Sequence, residues 1–154
     1  MNTRSFLLSA LISGAVLGLL GNLPVLNFIN CFLCAWVWLG GIFAVYLYNR
    51  YERNRTQLTQ ASATIGQGAG VGAVAGVVGA FVGVVVFALT SFITAPMMAA
   101  MANALQINNF PAGTGIAEVA TFFCLDLILY PLFGAIGGLL GAGVFWKKPL
   151  APAA

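Results

Sequence analysis

Four long apolar runs, 5–21, 31–49, 68–95 and 117–146, take up most of the chain, and every basic residue falls outside them. About 20 apolar residues in a helix match a hydrocarbon core about 30 Å thick. The pattern predicts an all-α membrane protein with four transmembrane helices. The expected plan is a single domain, 1–154, with spans at 5–22, 31–49, 68–95 and 117–146. Residues 50–64 are read as a loop and 96–116 as an interfacial segment at the opposite side. In that segment Met97, Met98, Met101 and Leu105 recur at helical spacing, as in a helix lying flat beyond Pro96.

Composition agrees. Hydrophobic residues make up 61% of the 154 positions, too much apolar surface for a soluble domain of this length to hide. The first run continues into Gly21-Asn22-Leu23-Pro24 with no small-x-small cleavage site, so it reads as a helix and not as a cleaved signal peptide.

The six basic residues are Arg4, Arg50, Arg53, Arg55, Lys147 and Lys148, and all flank the ends of runs. The connections 22–30 and 96–115 carry no charge. All six fall on one side if both termini and the 50–64 loop are cytoplasmic. That predicts an N-in/C-in, multi-pass protein of the bacterial inner membrane. The bias argues against insertion in both orientations, and the basic balance reads as topology, with no nucleic-acid partner.

Gly14-Ala-Val-Leu-Gly-Leu-Leu-Gly21 matches Gly72-Ala-Val-Ala-Gly-Val-Val-Gly79 in the pattern G-A-V-x-G-x-x-G. Each is followed by a span with cysteine and paired glycines, Gly40-Gly41 and Gly137-Gly138. Two readings stand: a parallel two-plus-two duplication, or the common composition of Gly/Ala/Val helices. Small residues four apart let helix backbones approach closely, which drives association in lipid. Gly14 and Gly18 do this in the first span, Gly68, Gly72 and Gly76 in the third, and Gly134, Gly138 and Gly141 in the fourth. They predict close packing within the bundle, with contact to a second chain as an addition. Gly66–Gly72 lacks the Lys-Ser/Thr ending and preceding strand of a phosphate-binding loop.

Polar side chains gather at the predicted outer end: Asn27, Asn30, Thr90, Ser91, Glu118, Thr121 and Asp126. Glu118 fits the first turn of a helix, where the macrodipole favours an acid. Asp126 lies about 12 Å further along the same helix. A charged Asp within hydrocarbon costs at least about 2.5–3.5 kcal/mol, and no Lys or Arg falls within any span to pair with it. The expected escape is a protonated carboxyl. It would serve either as a hydrogen-bond donor fixing helix register or as an ion- or proton-binding group. Pro131 removes a backbone donor and leaves the carbonyl near Leu127 as an acceptor.

Cys31 and Cys34 form a C-x-x-C, a candidate thiol pair, and Cys124 lies in the fourth span. Buried inert thiols, a disulfide in an oxidising compartment and a redox or metal role remain open. The chain has no histidine, which removes the commonest metal and haem ligand and the usual neutral-pH base. No metal, no cofactor and no catalytic set is expected.

The stretch 23–48 carries Pro-x-Leu-Asn-x-x-Asn-Cys, then Cys-x-Trp, Gly-Gly and Tyr-x-Tyr. It resembles a signature of small uncharacterised bacterial four-helix membrane proteins. That resemblance implies a fold and no activity. Two functional expectations follow. One is a non-enzymatic structural or accessory subunit, packed against other transmembrane subunits or itself. The other is a small transporter or channel using Asp126.

Overall fold

The computed structural model describes residues 3–21, 35–56, 63–104 and 116–145, with some side chains within them excepted. It is all-helical: α1 (Thr3–Gly21), α2 (Ala35–Thr56), α3 (Ile65–Ala104) and α4 (Ile116–Phe145). Three stretches are long and apolar enough to cross a membrane, namely Thr3–Gly21, Ile65–Ser91 and Phe123–Phe145. In α2 the apolar part gives way to Arg50, Glu52, Arg53 and Arg55 in its last turns.

Two helices run on past the apolar runs they contain. Residues 50–56 of the expected loop are helical, because nothing after Tyr48 breaks the helix before Thr56. The apolar candidate span in α3 is Ile65–Ser91, and no separate helix is formed beyond Pro96 among the described residues. Instead α3 passes through Pro96 to Ala104. Proline costs a helix one hydrogen bond and a clash with the preceding turn. The Ala/Met-rich sequence after it, 97–104, favours helix strongly enough to carry the element on to Ala104.

The start of α3 is set by a reciprocal cap. Gln67 N–H donates to Thr64 Oγ1 at 3.3 Å, and Thr64 N–H donates to Gln67 Oε1 at 3.0 Å. Two amides that the first turn leaves orphaned are thereby satisfied. Just upstream, Ala63 N–H donates to the buried Asn49 Oδ1 at 2.7 Å, which ties the end of α2 to the start of α3.

Pairing directions follow from the contacts. Phe6 packs edge-on against Tyr48, and Leu17 fills the space beside Gly40, so α1 and α2 are antiparallel. Gly14 lies against Ala75 and Gly18 against Gly79, so α1 and α3 are parallel. Gly68 meets Gly138 and Gly76 meets Tyr130, so α3 and α4 are antiparallel. Trp38 meets Gly137 and Ile42 meets Gly141, so α2 and α4 are parallel. The helices run around the bundle in the order α1, α3, α4, α2, and α2 also touches α3. The start of α1, the end of α2, the start of α3 and the end of α4 therefore share one end. Gly40 meets Leu17 of α1, and the nearest atoms to Gly137 belong to Trp38 of α2.

The radial distribution is small inside and large outside. The largest fully buried side chains are Val37, Val45, Val71, Ser9 and Ser13. Leu7, Leu11, Leu19, Phe81, Val85, Leu89, Ile128 and Val144 are exposed. A water-soluble bundle does the reverse. In lipid the tails solvate leucine as well as a core would, so packing is best served by residues that bring backbones together.

Candidate functional site

The tightest feature of the bundle is a glycine seam centred on α3. A β-carbon on Gly72 would run into the carbonyl oxygen of Gly134, and one on Gly134 into the carbonyl oxygen of Gly72. Gly68 and Gly138 stand in the same mutual relation. A β-carbon on Gly76 would strike the Tyr130 carbonyl and lie 2.7 Å from Pro131 N. The proline site of α4 is thus seated on a glycine of α3. On the other side of α3, a β-carbon on Gly14 would come within 2.5 Å of the Ala75 carbonyl, and one on Gly18 within 2.7 Å of the Gly79 carbonyl. Gly141 is braced by Ile42 and Val45 of α2. Backbone contact this close allows Cα–H···O interactions, each worth about 0.5–1 kcal/mol. All eight glycines expected to pack thus meet atoms of the same chain. By contrast, a β-carbon added to Gly66 or Gly143 would find nothing within 4 Å.

Toward the start of α4 the packing continues past Pro131. Phe123, Asp126 and Tyr130 follow at three- and four-residue intervals, which turns Asp126 toward the bundle side of α4. Leu125, Ile128 and Leu132 face the other way and are 50%, 67% and 54% exposed. Asp126 itself is half-buried. The ring of Phe123 meets Phe81 of α3, with centroids 5.4 Å apart. Among the described residues the basic side chains Arg4, Arg50 and Arg53 all lie at the far end of the bundle. The carboxyl of Asp126 makes no hydrogen bond or ion pair with a described residue.

The expected polar cluster is assembled only in part. Asn27 and Asn30 lie outside the described residues, as do Cys31 and Cys34. Glu118 and Thr121 are on α4, with side chains that are not described. Thr90 and Ser91 are on α3 and turn their hydroxyls back on their own helix. Thr90 Oγ1 donates to the Val86 carbonyl at 2.9 Å, and Ser91 Oγ donates to the Ala88 carbonyl at 2.7 Å. The structure does not bring them to Asp126. The contacts Gly76–Tyr130 and Phe81–Phe123 set Asp126 near Ala80 of α3. Thr90 is then about 15 Å further along. Cys124 is a free, exposed thiol. Among the described residues no cluster of three or more His, Cys, Asp or Glu side chains could hold a metal ion.

Some polar residues were missed from the sequence. Ser5, Ser9 and Ser13 form a buried stripe on α1. Ser13 Oγ donates to the Ser9 carbonyl at 2.6 Å and Ser9 Oγ to the Phe6 carbonyl at 2.9 Å. Their four-residue spacing is that of Gly14 and Gly18, and it would have marked them as inward-facing. The indole Nε1 of Trp36, in the first turn of α2, is buried with no acceptor among the described residues.

Compared with protein-family models, with curated proteins and with solved structures, the chain matches none.

Proposed function

We propose that the protein is a non-enzymatic structural subunit of the bacterial inner membrane, one that acts as a rigid body within a larger membrane assembly or homo-oligomer. The observation that carries this reading is the mutual blocking of Gly72 with Gly134 and of Gly68 with Gly138. A seam closed backbone to backbone holds α3 and α4 in close contact over several turns, which favours a rigid pair. Sliding or rocking of helices is what alternating access requires. Because the glycine faces are used within the chain, the surface for a neighbour is the outer half of α4. There Leu125, Ile128 and Leu129 are exposed beside Asp126. In this reading α2 is the fourth span, both termini are cytoplasmic, and the glycine motifs of α1 and α3 reflect a duplicated helix pair.

Thiol cross-linking tests the proposal. With Cys31 and Cys34 replaced by serine, Cys124 is the single thiol, and it lies on the proposed surface. A bis-maleimide added to native membranes should trap a discrete higher-mass species, identified by mass spectrometry of its peptides. A chain that stays uncross-linked and monomeric in mild detergent would overturn the reading.

The second reading, a small transporter or channel, is favoured by Asp126. It is an acid in a candidate span with no basic partner among the described residues. Ion- or proton-dependent flux in liposomes, lost in Asp126→Asn, would establish it.

A further inference from the structure

α4 is packed unevenly on the two sides of Pro131. On the inner side, none of the positions 133–138 is exposed. Gly134 and Gly138 close against Gly72 and Gly68 of α3, and Gly137 and Gly141 against Trp38 and Ile42 of α2. On the outer side, Cys124, Leu125, Leu127, Ile128 and Leu129 are all exposed. Phe123 and Asp126 are half-buried among them, and the edge contact of Phe123 with Phe81 joins this stretch to α3.

The junction between the two parts suits bending. Proline has no amide hydrogen, so the helix lacks the bond from residue 131 to the Leu127 carbonyl. That bond is missing whether α4 is straight or bent, and sharp bends in helices gather at such places. Facing the junction, α3 presents Gly76. A β-carbon there would strike the Tyr130 carbonyl and lie 2.7 Å from Pro131 N. The bare backbone of α3 therefore serves α4 as a fulcrum. Tyr130 is buried in a cluster with Leu17, Val37 and Ala80, which keeps the pivot in place.

The ring pair beyond the pivot is a light catch. In lipid, acyl chains solvate a released phenylalanine about as well as Phe81 does, so opening loses the ring contact and little else. Stretches with few packed contacts move separately from a well-packed core.

We propose that α4 hinges at Pro131. Residues 132–145 stay in the glycine seam, and 116–129 swing as an arm. In the closed position Phe123 lies on Phe81, and opening carries Asp126 away from Ala80. The seam keeps the body rigid, while the arm adjusts the face formed by Leu125, Ile128 and Leu129. The hinge depends on neither reading of function: it serves a subunit that fits its arm to a neighbour, and equally a transporter that moves its acid.

Spin-label distances test it on the full-length chain in lipid nanodiscs, with Cys31, Cys34 and Cys124 replaced by serine. One labelled pair, Leu89→Cys with Leu125→Cys, joins the arm to α3. The other, Ile65→Cys with Val144→Cys, joins the two helices at the seam end. All four positions are exposed. The seam pair is expected to give one narrow distance distribution and the arm pair a broad or two-peaked one. Pro131→Ala restores the hydrogen bond and should narrow the arm distribution. Phe123→Ala removes the catch and should move it to longer distances. An arm distribution as narrow as that of the seam would overturn the hinge. So would one that Pro131→Ala leaves as broad. If Pro131→Ala does not fold, Phe123→Ala decides: a shift to longer distances supports the hinge, and no shift overturns it.

Discussion

Gly72 and Gly134 exclude each other's side chains: a β-carbon on either residue would clash with the other's carbonyl oxygen. Gly72→Ala should therefore push α3 and α4 apart. The expected cost is about 1–3 kcal/mol, the range for forcing a methyl group into a closed interface. It should appear as a lower melting temperature in detergent. The controls are internal. Gly66 and Gly143 have open space at the β-carbon position. Alanine there gains up to about 1 kcal/mol of helix propensity, so both variants should melt at or above wild type. Equal destabilisation at Gly66 and Gly72 would mean that the seam is not closed as described.

Leu17 and Gly40 give a second test of packing. A β-carbon on Gly40 would collide with the Leu17 side chain, which also lies 2.7 Å from where a β-carbon of Gly79 would be. Leu17→Ala alone should destabilise by about 2–5 kcal/mol through the cavity it leaves. Gly40→Ala alone should also destabilise. Combined, the second substitution should cost much less, because the atoms it strikes are gone. A double-mutant cycle on melting free energies would show this coupling. Strict additivity would place Leu17 and Gly40 apart.

Helix number and the inward glycines were legible because both depend on local spacing. Apolar runs of about 20 residues and small residues four apart have few other uses in a chain this apolar. The continuation of α3 through Pro96 was not legible, since proline ends helices more often than it is absorbed by them. Thr90 and Ser91 were expected beside Asp126 because all three are polar and near one end. Their hydroxyls bond their own helix instead, an option that short polar side chains always have in apolar surroundings. The buried serines of α1 escaped notice for the same reason. Once a serine is satisfied by the preceding turn, it packs as a small residue.

At the opposite end, the Asn49–Ala63 hydrogen bond and the Thr64–Gln67 cap hold the junction of α2 and α3. Asn49→Leu removes the acceptor and leaves the Ala63 amide orphaned in a buried place, at a cost of about 1–3 kcal/mol. Thr64→Ala should cost about 1 kcal/mol, typical of a lost N-cap. Thr64→Ser keeps the hydroxyl and should melt with the wild type. Limited proteolysis within 57–62 offers a second readout, because freeing either anchor should speed cleavage there. Cleavage rates unchanged in Asn49→Leu would show that this bond does not hold the junction.

Asp126 separates the two functional readings. It lies toward the bundle on α4, half-buried between the Phe81–Phe123 contact and Tyr130, while its neighbours Leu125 and Ile128 are exposed. An ionised carboxylate within hydrocarbon would be costly, so the neutral form is expected, with its proton available to an acceptor. Asp126→Asn keeps the shape and a donor while removing the titration. For a structural subunit this variant should fold, melt and cross-link through Cys124 as the wild type does, and proton leak into liposomes should stay at background for both proteins. Asp126→Leu keeps neither donor nor acceptor, so it should fold but lose the cross-linked species if the carboxyl meets a polar group of a neighbouring chain. Two results would reverse the assignment. One is wild-type proton flux above background that Asp126→Asn abolishes. The other is an infrared difference spectrum showing an ionised Asp126 carboxylate at neutral pH, which would require water or a cation beside it. Either would make the outer half of α4 the wall of a pathway and not the face of an interface.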